Sequence, residues 1–196
     1  MATTDVDICN RALSRLGTRA TISALDENST EARTAFIWYA ATRDTLLRAH
    51  DWNFARRRVV LAEQGTAPTG WTFRYALPTD CIRLLRLASV NLENSALRFE
   101  VAGDATSRFV LCDEPAAEAV YTARVDDPNL YDSGFASALV DQLAAHIAYP
   151  ITQKTETAVR LAQLARVALA DAMAADVNEA ESAAGDRVPD WIAARF

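Results

Sequence analysis

The sequence predicts an α+β fold: a helical bundle formed by the N- and C-terminal segments, with an antiparallel β-meander or small barrel inserted between them. Three observations predict it. Apolar residues recur every three or four positions near both ends of the chain, the spacing that gathers them on one helix face. Between Arg56 and Val125 the period falls to two, as in half-buried strands. The strand-like stretches are short and separated by Gly, Pro and Asp with no crossover helices, so neighbours run antiparallel. The expected domains are residues 1–55 with 128–183 for the helical body, 56–127 for the β-rich insertion and 184–196 for a C-terminal tail.

The elements follow in order. Thr4 and Asp7 have the spacing of a helix cap, and Ile8, Ala12, Leu13 and Leu16 continue at helical intervals to Gly17, suited to a left-handed stop. A second helix is expected from Asn28, with Glu31 as capping partner, through Ala32, Phe36, Tyr39, Arg43 and Leu47 to His50. Strands are expected around Val59 and Leu61, Trp71 to Tyr75, Ile82 to Val90, Leu97 to Val101, Phe109 to Leu111, and Val120 to Val125. A third helix, carrying Phe135, Leu139, Leu143 and Ile147, is expected to end at Pro150. The longest helix is expected from Thr155 to Glu181, and Gly185 releases the tail.

Composition narrows the function. About half of the 196 residues are apolar, so the chain can bury a core and is not a disordered polymer. A net charge of −6 argues against a general affinity for nucleic acid or an anionic membrane. No run approaches the ~20 apolar residues needed to cross a bilayer, and the start MATTDVD lacks the features of a secretory leader. A cytoplasmic protein is expected. Cys9, Cys81 and Cys112 are far apart and odd in number, which indicates buried thiols rather than a disulfide framework or a zinc site.

Chemistry is poorly represented. No G-x-S-x-G, H-E-x-x-H, Walker loop or G-x-G-x-x-G occurs, and His50 and His146 are the only imidazoles. A Cys-dependent hydrolase pairing Cys81 with His50, or a hydrolase using a pair of acids, is an alternative that spacing alone does not decide. We expect no enzyme, no catalytic residue, no cofactor and no metal. The run Arg56, Arg57, Arg58 is the only basic cluster. In a strand Arg56 and Arg58 share a face, which suits phosphate contact by a DNA-binding or regulatory module, or pairing with acids such as Glu63.

Contact surfaces are better represented. On a wheel of the last helix, Arg160, Gln163, Arg166 and Asp171 fill one sector while Ala, Val, Leu and Met fill the rest, more than docking on one core requires. Leu161, Leu164, Val167, Ala168 and Ala172 are therefore candidates for an interface with a copy of the same chain. The tail carries Val188, Trp191, Ile192, Arg195 and Phe196, residue types that anchor a peptide in a partner's groove.

The motifs, taken in order, resemble one known family. I-C-N-R-A-L-S-R-L-G (Ile8 to Gly17), I-S-A-L-D-E-N-S-T-E-A (Ile22 to Ala32), R-D-T-L-L-R-A-H-D-W-N-F-A (Arg43 to Ala55) and L-P-T-D-C-I-R (Leu77 to Arg83) are similar to the first part of tail tubular protein A–like head-to-tail adaptors of tailed bacteriophages. L-Y-D-S-G-F-A-S-A-L (Leu130 to Leu139), L-A-A-H-I-A-Y-P-I-T (Leu143 to Thr152) and D-W-I-A-A-R (Asp190 to Arg195) continue the likeness over most of the chain, although the β section is short for the family.

The resemblance implies a virion structural protein of the tail or neck, assembled in the host cytoplasm. It implies a homo-oligomeric ring, usually a dodecamer, between the portal protein and the next tail component (nozzle or tail terminator). Genomic DNA would pass through the channel during ejection without specific binding. The family shares no catalytic residues. On this resemblance the last helix and the Trp191 tail become the portal-binding candidates.

Overall fold

The structure is a computed structural model that describes residues 3–89 and 97–181. It is α+β, with helices α1 (Asp5–Arg15), α2 (Thr30–Ala49), α3 (Ser133–Thr152) and α4 (Thr155–Glu181). Between α2 and α3 lie strands β1 (Arg56–Val60), β2 (Phe73–Ala76), β3 (Cys81–Ser89), β4 (Phe99–Gly103), β5 (Arg108–Cys112) and β6 (Ala117–Ala123). The chain divides into a helical unit, residues 1–43 with 127–196, and an insertion unit, residues 44–126. The first division falls within α2, earlier in the chain than the expected change at residue 55.

In the helical unit, local chemistry sets the helix ends. Thr4 Oγ1 accepts the Asp7 amide at 3.1 Å while Asp7 Oδ2 accepts the Thr4 amide at 2.9 Å, a reciprocal cap that satisfies two orphan donors. Gly17 then turns the chain at φ +77°, a conformation that favours glycine. Asn10 holds the following loop, exchanging hydrogen bonds of 2.9 and 2.8 Å with the Ile22 backbone. At the start of α2 the cap is Ser29 rather than Asn28: the Ser29 hydroxyl accepts the Ala32 amide at 3.2 Å. Asp132 caps α3, accepting the amides of Gly134 and Phe135 at 2.7 and 3.3 Å.

Two expectations about this unit are corrected. Pro150 does not end α3; it lies in the last turn. Proline removes a single N–H, and Gln153, the residue directly after the helix, closes the turn by donating to the Tyr149 carbonyl at 2.9 Å from a left-handed conformation. Phe36 does not belong to the buried stripe of α2, which runs through Ala32, Ala35, Tyr39, Thr42 and Arg43; Phe36 is 65% exposed. The bundle core is completed by Ile8 and Leu13 of α1, Phe135, Leu139 and Leu143 of α3, and Leu161 and Ala165 of α4. A salt bridge of 2.9 Å from Arg15 to Asp141 joins α1 to α3 at the surface.

The insertion unit contains two three-stranded antiparallel sheets, in the orders β1-β6-β3 and β2-β5-β4, and neither closes into a barrel. Nor is it a simple meander. Within the described sheets, β4 and β5 are the only consecutive strands that pair, whereas the first strand pairs with the last, Arg56 opposite Thr122 and Val60 opposite Glu118. Leu61, Tyr75, Leu87, Val110, Cys112 and Tyr121 form the core of this unit. β5 is buried from Phe109 to Cys112 without the alternation expected of a strand wet on one side. β1 is an edge strand, and Val59 and Val60 on it are exposed. Trp52 is fully buried and its Nε1–H donates to the Leu46 carbonyl at 2.9 Å. Among the described residues, no helix is long and apolar enough to cross a membrane.

Candidate functional site

The interface candidates on α4 separate into two groups. Leu161 and Ala172 are only 4% and 5% exposed and pack within their own chain, so they are withdrawn as partner contacts. Ala168 is half-buried. Leu164 and Val167 are 52% and 60% exposed, and Val159 and Val177 join them on the accessible part of the helix. At about 100° per residue, Leu161, Ala165, Ala172 and Asp176 fall on one side, and that side docks. Alanine and branched aliphatics occupy both sides of this helix, so the wheel alone did not identify the docked one.

A second apolar surface lies on α2 and was not anticipated. Phe36 and Ile37 are about two-thirds exposed, and Trp38 is exposed in part. Phe36 and Ile37 border a groove of about 420 Å³ with Leu25, Asp26, Glu27, Asn28 and Arg33. The rim is ordered by its own hydrogen bonds. Glu27 accepts the Ser23 amide at 2.8 Å, which holds its carboxyl below the ordinary carboxylate range, and Arg33 donates to Asn28. The signal was present in the sequence: three consecutive large apolar residues on a helix span about 200° and cannot all face one core.

Arg56 and Arg58 do lie on one face of β1, and each meets a carboxylate. Asp51 accepts from Arg56 at 2.9 and 3.1 Å, and Glu118 lies 3.9 Å from Arg58. Arg57 donates to the backbone carbonyls of Phe54 and Arg56. The nearest compensating charges therefore come from Asp51 and Glu118, residues that chain distance alone did not single out.

The thiols are chemically quiet. Burial pushes Cys9 up to about 12 and Cys81 up to about 11, and it raises Cys112 as well, so the nucleophilic thiolate is disfavoured at neutral pH. His146 lies on α3, where its Nδ1 shares a hydrogen bond of 2.9 Å with Thr42 Oγ1 and its Nε2 lies 3.3 Å from Gln142 Nε2. Burial lowers its pKa, and the Trp38 ring lies 5.0 Å away. His50 packs edge-on against Trp52. Among the described residues no group of three or more His, Cys, Asp or Glu gathers as a metal site. Val188, Trp191, Ile192, Arg195 and Phe196 lie outside the described residues.

The chain matches no protein-family model and no curated protein sequence.

Proposed function

We propose that this chain is a structural subunit without catalytic activity: a head-to-tail adaptor that joins copies of itself into a ring between a portal protein and the next tail component. The observation that carries this reading is the exposure of large apolar side chains on two helices that are otherwise well docked. Phe36, Ile37 and Trp38 on α2, and Val159, Leu164, Val167 and Val177 on α4, remain in water in the single chain. Removing apolar area from water is worth about 25 cal/mol per Å², so such surfaces favour association. The motif resemblance supports the same assignment, with the Trp191 segment as the portal anchor and the net negative charge suited to a channel that lets DNA slide.

Sedimentation of the full chain with its cognate portal protein tests the reading. Comigration as one large species, lost when Ile37 and Val167 are both changed to Asp, is the expected result. Independent sedimentation of the two proteins would refute it.

A further inference from the structure

Within the insertion unit, Arg48 at the end of α2, Arg83 on β3 and Arg108 at the start of β5 line one cleft of about 540 Å³. Leu84 and residues 101–103 of β4 complete the wall, and among the described residues no carboxylate lines it. This differs from Arg56, Arg58, Arg74 and Arg124 of the same unit, which sit against Asp51, Glu118, Asp104 and Asp44. Among the described residues, Arg48, Arg83 and Arg108 form no ion pair.

Two of the three guanidiniums are also held by backbone carbonyls. Arg48 Nη1 donates to the Ile82 carbonyl at 2.7 Å, and Arg83 Nη1 to the Arg48 carbonyl at 3.5 Å. Arg108 pairs in register with Gly103 across the β4–β5 hairpin. Asp104 accepts the amides of Thr106 and Ser107 at 2.8 Å each, which fixes the connecting turn. The neighbouring Cys81 thiol feels these charges: burial pushes it up most, Arg108 and Arg48 pull it down, and Asp80 pushes it up.

Three like charges sharing a concavity repel one another, and an oxyanion relieves that repulsion. Guanidinium forks match the oxygens of a phosphoryl group, and three of them suit a group with more than one anionic oxygen better than they suit a single carboxylate. The cleft is many times larger than the roughly 30 Å³ share of one water, so it has room for an organic body behind the phosphate. Ala102 and Gly103 allow that body a close approach to β4.

We propose that the Arg48–Arg83–Arg108 cleft binds a phosphoryl oxyanion carried on an ester, with the phosphate against the guanidiniums and the organic part against β4. The phosphodiester of a nucleic-acid backbone and a small phosphate compound present the same chemistry, and the test separates them. The proposal does not depend on ring assembly and is read on the free, full-length chain.

Fluorescence anisotropy of a labelled DNA duplex of about 20 base pairs, at low and moderate salt, is the first arm. Binding that inorganic phosphate competes away at constant ionic strength is expected. Arg83→Gln and Arg108→Gln should each weaken it about tenfold and reduce the salt slope by about one, while Arg160→Gln on α4 should leave it unchanged. The second arm is thermal stabilisation by pyrophosphate. If DNA does not bind, but pyrophosphate raises the melting temperature of the wild type and not of Arg108→Gln, the ligand is a small phosphate compound and the chemistry stands. Absence of both effects, or wild-type binding by both arginine variants, would overturn it.

Discussion

The Tyr39 hydroxyl donates to Asp5 Oδ1 at 2.6 Å, tying the first turn of α1 to the middle of α2 across 34 residues of sequence. Tyr39 is 4% exposed, and its phenol also meets Tyr131, which in turn is hydrogen-bonded to Arg43. Burial and the Asp5 hydrogen bond both raise the Tyr39 pKa, so the phenol remains a neutral donor. A buried polar chain of this kind fixes how the helices meet, because each member loses a partner if one slips.

Tyr39→Phe keeps the ring and removes the donor to Asp5. Chemical denaturation should show a loss of about 1–3 kcal/mol, the cost of leaving a partly buried hydrogen-bonding group unmatched. An unchanged midpoint would mean that water replaces the phenol freely.

Gly134 tests the approach of α3 to α4. A Cβ there would lie 3.0 Å from Asp132 Oδ1, the capping oxygen, and 3.4 Å from Ala172 Cβ. Gly134→Val adds branches to that crowded point, so thermal unfolding should show a cost of about 1–3 kcal/mol from overpacking. A variant as stable as the wild type would show that the helices separate easily at this crossing.

His146 predicts a pH dependence. Its ordinary pKa is 6.5, and burial lowers it in the folded chain, so the unfolded chain binds the proton more readily. Its contribution to stability is full above about pH 6.5 and declines as pH falls through that value toward the folded pKa. Denaturation midpoints on either side of pH 6.5 should fall less on acidification in His146→Gln than in the wild type. Equal slopes would remove His146 as a source.

Leu161 and Val167 separate folding from assembly. Leu161→Asp places a charge in the bundle core and should cost about 3 kcal/mol or more, read as a large drop in melting temperature. Val167→Asp changes an exposed position and should alter stability by no more than about 0.5 kcal/mol while weakening ring formation. Normal melting together with normal assembly in Val167→Asp would place the interface elsewhere.

Much of the fold was legible because it is written locally. The Thr4–Asp7 cap, the Gly17 stop and both limits of α4 depend on neighbouring residues and on helical period alone. The pairing of β1 with β6 is not local: Thr122 follows Arg56 by 66 positions, and nothing in strand alternation specifies which strand lies beside which. Phe36 lies only about 40° around the helix from buried Ala32, at the margin of the docked sector, and coverage of a marginal position is decided by tertiary packing rather than by period. The arginine cleft was invisible for the same reason. Arg48, Arg83 and Arg108 are spread over three elements, whereas in the contiguous run Arg56 to Arg58 the two outer arginines sit against acids.

Truncation addresses the terminal segment. Removing residues 187–196 should leave the melting temperature of the helical unit unchanged and weaken capture by the portal protein. Full-strength capture by the shortened chain would move the anchor to another surface.

Negative-stain imaging of the full chain mixed with its cognate portal protein tests the central claim most directly. Closed rings of this chain stacked on the portal are predicted, with none from chains carrying Ile37→Asp and Val167→Asp. Portal particles left bare at saturating concentrations of the wild-type chain would contradict the assignment.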